Sequence, residues 1–156
     1  MLFRSPDSRT AESVDPDNRC FWMRDPIRIE VESIRDGILA VSGQLNPAMG
    51  GPPFFPEADD EQMARAPTWW EPSEPRERNR RTLYMLQIRS FQLPLVKVFD
   101  GVNMDQSCVA RGVTSVTPQV FALFNSRFSQ EQSVEMARRI RVEAGTDPDR
   151  QIDRAF

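Results

Sequence analysis

The stretch Pro26-Ile-Arg-Ile-Glu-Val-Glu-Ser-Ile-Arg-Asp-Gly-Ile-Leu-Ala-Val-Ser-Gly43 decides the fold class. Its apolar residues Ile27, Val31, Ile34, Ile38 and Val41 recur at spacings of four and three, the signature of one buried α-helical face. Asp25 offers a side-chain oxygen to an orphan N–H, and Pro26 wastes no hydrogen bond at the first helical position. Gly43 stands where a left-handed residue ends a helix. The expectation is a helix from Pro26 to about Ser42, with Arg28, Glu32 and Arg35 supporting one another on its polar side.

The same capping signature recurs at Asp15-Pro16, Thr117-Pro118 and Asp147-Pro148, and each predicts a helix start. The first helix would run over about Pro16 to Met23 and bury Phe21 and Trp22. The one from Pro118 carries Val120, Leu123, Phe124 and Phe128 on one stripe. It bends at Asn125-Ser126 and continues through Ala137, Ile140 and Ala144 to Gly145. The last helix, from Pro148, has an Ile152/Phe156 stripe still developing at the final residue, so 148–156 reads as a truncated helix and the chain as part of something longer. Thr82 to Phe91 reads as a buried strand, Pro94 to Phe99 as a helical turn, and Val113 to Val116 as extended chain. Residues 46–80 hold nine prolines and two glycines, which makes them a long loop excursion with room for about two helical turns between Ala58 and Ala66. Residues 1–14 read as a poorly ordered lead-in. The expected fold is mainly α: a small helical domain with one or two short strands and a long Pro-rich loop, spanning 1–156.

Composition narrows the chemistry. The 156 residues contain no histidine, which removes Ser-His-Asp and Cys-His nucleophile activation and His-containing zinc sites. Positive charge rests on arginine with a single lysine, Lys97, and the formal net charge is −3. Arginines interleave with acids, so no basic stripe for nucleic acid is visible, and the run Arg76, Arg78, Arg80 and Arg81 reads as a solvated loop. No apolar run approaches the roughly 20 residues of a membrane span. The opening Met-Leu-Phe-Arg-Ser-Pro-Asp lacks the apolar core of a signal peptide. Cys20 and Cys108 lie far apart in sequence; they read either as two separate thiols or as one long-range disulfide.

Within the Pro-rich loop, Phe54, Phe55, Trp69 and Trp70 either plug back onto the core or, in the case of Trp69 and Trp70, form a stacking surface. Asp100-Gly101-Val102-Asn103-Met104-Asp105 offers oxygen ligands but lacks the glycine and terminal glutamate of a calcium loop. Glu30, Glu32 and Asp36 are candidate paired carboxylates, flanked by Arg28 and Arg35. Ser42, Ser107 and Cys108 would need Lys97 or a carboxylate as base, so no catalytic nucleophile is assigned. Arg35, Arg81, Arg89 and Arg111 are candidates to converge on a carboxylate or sulfate.

Several of these segments occur in a familiar order: Asp15-Pro-Asp-Asn-Arg19, Ile34-Arg-Asp-Gly-Ile-Leu-Ala-Val-Ser-Gly43, Gly50-Gly-Pro-Pro53, Arg80-Arg-Thr-Leu-Tyr84, Phe99-Asp100, Ser107-Cys108 and Val113-Thr-Ser-Val-Thr-Pro-Gln119 before Leu123-Phe-Asn125. Together they resemble the C-terminal domain of unknown function of planctomycete-type exported proteins that also carry a planctomycete cytochrome c domain. The resemblance implies a mainly helical domain, an exported (periplasmic) setting, a longer parent chain and a haem-bearing neighbour. It brings no catalytic residues. Gly101-Val102-Asn103 departs from the Ala-Pro-Asp usual after the Phe-Asp pair, and Ala110 leaves Arg111 without the usual second arginine.

The resulting expectation is a non-catalytic accessory or interaction domain, with no cofactor or metal in this segment and the parent's other domains as partners. Arg35, Asp36, Arg81, Asp100 and Arg111 form the candidate ligand or structural polar cluster. The alternative is a carboxylate-dependent hydrolase or polysaccharide-binding domain, using Glu32, Asp36, Asp100 and Asp105 with Trp69 and Trp70 as the stacking surface.

Overall fold

A computed structural model describes residues 8–24, 27–57, 60–89, 91–102, 104, 107, 109–112, 114 and 116–156. The architecture is mainly α. Its helices are α1 (Ser8–Val14), α2 (Val31–Ser42), α3 (Asp60–Met63), α4 (Pro75–Arg78), α5 (Pro94–Val98), α6 (Thr117–Asn125), α7 (Arg127–Ala144) and α8 (Pro148–Ala155). A single 3₁₀ turn covers Thr82–Tyr84.

Helix α2 is the central element, and it packs against α7, α5 and the 3₁₀ turn. It starts at Val31, later than the capping signature suggests, because Ile27 to Glu30 are extended; Asp25 and Pro26 lie outside the described residues. Its buried face is Val31, Leu39 and Ser42, with Ile34 packed alongside, so the stripe is rotated from the expected one, and Ile27 and Val41 are exposed. Gly43 does end the helix in the left-handed region (φ 77°). Its N–H donates to Ala40 O and the next N–H to Leu39 O. From α7, Arg139 Nη1 also donates to the carbonyls of Ala40 and Val41, placing a cation on the negative end of the helix.

The core gathers Val31, Phe54, Met85, Val96 and Phe99. Phe54 belongs to the Pro-rich segment, which therefore supplies core instead of looping away. Its N–H donates to Tyr84 O, and Leu86 N–H donates to Phe54 O. This parallel pairing stays an isolated bridge, and the expected strand over Thr82 to Phe91 does not form. Pro52, Pro53 and Pro56 have no N–H with which to extend the ladder. Trp70 is buried against Phe91 and Phe55, with ring centroids 4.8 and 5.3 Å away, and its indole N–H donates to Pro56 O.

The predicted helix over Pro16 to Met23 is absent. Helix α1 lies just upstream, inside the expected lead-in, and ends where that helix was to begin. Asp15 accepts from the backbone N–H groups of Arg19 and Cys20, and Asn18 Oδ1 accepts from Met23 N–H. These side-chain bonds replace helical ones, and Asn18 and Phe21 take left-handed conformations (φ 54° and 53°). Cys20 is an exposed free thiol, while Cys108 lies outside the described residues.

The C-terminal half follows the sequence more closely. Ser126 separates α6 from α7, and its hydroxyl accepts from Ser129 N–H. Asp147 caps α8 by accepting from Asp149 N–H. On α6, Ala122 and Leu123 pack on the core, whereas Val120, Phe121 and Phe124 face outward, so two residues of the predicted stripe lie on the wrong side.

Candidate functional site

The motif residues converge on α2 as three polar clips. The first is centred on Arg35, whose side chain is nearly buried. Its Nη1 donates to Arg80 O and Thr82 Oγ1, both at 3.1 Å, and its Nη2 donates to Arg78 O. The guanidinium lies between the rings of Phe54 and Phe128, 5.3 and 5.4 Å from their centroids. Next to it, Asp36 Oδ1 accepts from Thr82 N–H at 2.7 Å and from Thr82 Oγ1 at 2.6 Å. Arg81 adds an ion pair to Asp36 at 3.6 Å. Burial pulls the Arg35 pKa down to about 10 against the opposing pull of Asp36.

Arg80 extends this clip into the Pro-rich segment. It is 3% exposed, contrary to the solvated loop expected for the arginine run. Its guanidinium stacks 4.3 Å from the Tyr84 ring centroid, and it donates to Gly50 O and Pro52 O. Tyr84 OH accepts from Gly50 N–H. Gly50 and Gly51 both take positive φ (75° and 81°), which lets the backbone wrap around this side chain. The Gly-Gly-Pro-Pro and Arg-Arg-Thr-Leu-Tyr motifs are thus two halves of one contact.

The second clip holds Asp100, which itself has a left-handed backbone (φ 56°). Its carboxylate accepts from Thr114 N–H, Thr114 Oγ1 and Arg28 Nη1. Those bonds, the Thr114 N–H first, hold its pKa below the ordinary value. Gln119, buried on α6, donates to Val98 O and Thr114 O and ties the clip to α5. The expected Arg28–Glu32 and Glu32–Arg35 pairs do not form, because each arginine is drawn across the fold to these partners.

The third clip is Arg111, which bonds Glu32 through both terminal nitrogens (2.8 and 3.0 Å) and Glu30 at 2.7 Å. Burial works against the Glu32 charge, but the Arg111 bonds outweigh it and leave the pKa lowered. They raise that of Arg111 in turn.

The five candidate residues are therefore distributed. Arg35, Asp36 and Arg81 meet around Thr82, whereas Asp100 and Arg111 belong to separate clips. Of the four carboxylates proposed for hydrolysis, Glu32, Asp36 and Asp100 each face an arginine, and Asp105 lies outside the described residues. Trp69 is exposed while Trp70 is buried, and their rings are inclined at 45°, so they do not share one flat face. Arg89 is exposed. Among the described residues, no group of three His, Cys, Asp or Glu side chains could hold a metal ion, and no helix is long and apolar enough to cross a membrane.

Sequence reasoning missed Arg28, Arg80, Thr82, Thr114 and Gln119 as partners, since all their contacts are long-range in sequence or made by backbone carbonyls. It also missed a groove of about 550 Å³ between α7, the start of α5 and the Pro-rich segment. Leu93, Pro94 and Phe128 give its walls apolar surface, and Glu57, Arg78 and Arg127 bring charge to it. Glu57 pairs with both Arg78 and Arg127.

A family model described as PSD1, protein of unknown function (DUF1553), matches residues 3–156, and the chain belongs to that family. No curated protein and no solved structure matches it.

Proposed function

We propose that this PSD1-family chain is a non-catalytic accessory or interaction domain, working within a larger exported, cytochrome c-linked protein. The supporting observation is where the motif residues spend their chemistry. Arg35, Asp36, Arg80, Asp100 and Arg111 are committed to carbonyls, hydroxyls and opposite charges of the same fold. Such clips organise a surface; a general acid or nucleophile needs a group left available for substrate. Haem, on this reading, belongs to another domain of the parent, and the contacts made by this domain are with its neighbours.

The outer face of α6 is consistent with such a role. Val120, Phe121 and Phe124 are all more than half exposed, and residues 112–126 contain no charged side chain. The test is hydrogen exchange on the parent protein against the isolated domain. Slower exchange on particular faces of this domain in the parent is the expected result. Identical exchange throughout would overturn the reading.

The hydrolase or polysaccharide-binding alternative draws less support, because its described carboxylates are each neutralised by an arginine. Trp69 alone keeps an exposed ring for stacking.

A further inference from the structure

The groove beside α7 has an unbalanced electrostatic lining. Arginines 35, 78, 127 and 138 contribute to it, against glutamates 57, 131 and 135, leaving it one carboxylate short of neutrality. A second observation points to the same place. Glu57 engages Arg78 at Nη1, while Arg78 Nε is buried with no acceptor. A buried guanidinium N–H without a partner is expensive, and a carboxylate is the group whose geometry suits a guanidinium edge. Arg127 adds a second positive charge close by: it shares Glu57 with Arg78 and bonds Glu131 at 2.8 Å. Burial and the nearby Arg127 charge lower the Arg78 pKa, partly offset by Glu131.

The walls define what carries that carboxylate. Leu93, Leu95, Phe128 and Val134 contribute apolar surface, and three prolines line the groove with backbone that has no N–H to satisfy. Its volume lies within the roughly 300–1,000 Å³ of ligand sites. We infer that this groove docks an extended apolar peptide segment of a partner chain, with one acidic side chain of that segment seated against Arg78 and Arg127. The inference rests on the interaction reading above and names the chemistry of its partner.

Calorimetric titration of the purified chain tests it, using an acetylated and amidated Leu-Pro-Glu-Leu-Leu peptide as probe. The glutamine counterpart and free propionate serve as comparison arms. The Glu peptide should bind at least tenfold more tightly than the Gln peptide. Propionate, which has the carboxylate without the apolar flanks, should bind more weakly still. Arg78→Gln should abolish the Glu preference with the melting temperature recorded alongside. Arg127→Gln, at a largely exposed side chain, should reduce it and keeps the test decisive if R78Q fails to fold. Equal binding of the Glu and Gln peptides, or no heat from either, would overturn the groove assignment. Propionate binding as tightly as the Glu peptide would overturn the peptide and leave a small-carboxylate site. The interaction reading has its own failure mode, the absence of any exchange difference in the parent protein, so the two can fail separately.

Discussion

Arg35 shows how a single residue can join elements that its neighbours in sequence never reveal. A guanidinium is planar, has five donors and tolerates stacking, so it can sit between Phe54 and Phe128 and still satisfy three acceptors. Arg35→Met should cost about 3 kcal/mol, because Arg78 O, Arg80 O and the Asp36 charge lose their partner together. Chemical denaturation measures that loss directly. Arg35→Lys should recover little of it, since an ammonium cannot reproduce the fork or the double stack. Gly101 has a different constraint. A Cβ there would lie 2.3 Å from Val96 Cγ1 and 2.7 Å from the Val96 carbonyl oxygen, which is backbone and cannot swing aside. Gly101→Ala should therefore destabilise by about 1–3 kcal/mol in the same assay.

At the scale of elements, the junction between α6 and α7 depends on one hydroxyl. Ser126→Ala removes the cap on Ser129 N–H and should cost about 1 kcal/mol, read as a melting temperature lower by about 2–4 °C. This junction was legible in the sequence, as were Gly43, α5 and the start of α8, because caps and terminators act within a few residues. The helix over Pro16 to Met23 failed for an equally local reason that the Asp-Pro signature hides: Asp15 has two carboxylate oxygens, and both went to backbone N–H groups at positions 19 and 20. The α2 stripe was right in period and wrong in phase, since the Ser42 hydroxyl could be buried against Gln132 while Val41 could be left outside. Of the candidate cluster, the sequence placed Arg35, Asp36 and Arg81 in one neighbourhood, but nothing in it could join Asp100 to Thr114 or Arg111 to Glu32. Those pairings depend on how the chain returns to α2.

For the whole molecule, the carboxylates in and around these clips set a common response to acid. Asp15, Glu32, Asp100 and Glu143 all have pKa values lowered on folding. A lowered carboxylate pKa contributes stability that is fully present above the ordinary value and lost as pH falls through the folded one. Melting temperature should thus hold steady above pH 4.5, the ordinary glutamate value, and fall progressively on further acidification. Asp100→Asn should make that fall shallower.

The central claim is that α2 and the Pro-rich segment are one cooperative unit, clamped by Arg35, Asp36 and Arg80. Native-state hydrogen exchange tests this most directly, by comparing the amides of Phe54, Thr82 and Leu86 with those in the middle of α2. These three donate to Tyr84 O, Asp36 Oδ1 and Phe54 O. If the claim holds, they exchange with the same free energy as the α2 amides, and Arg35→Met lowers both sets equally. Rapid exchange of Phe54, Thr82 and Leu86 while α2 stays protected would contradict it, and would make the Pro-rich segment a loop laid over a separate helical core.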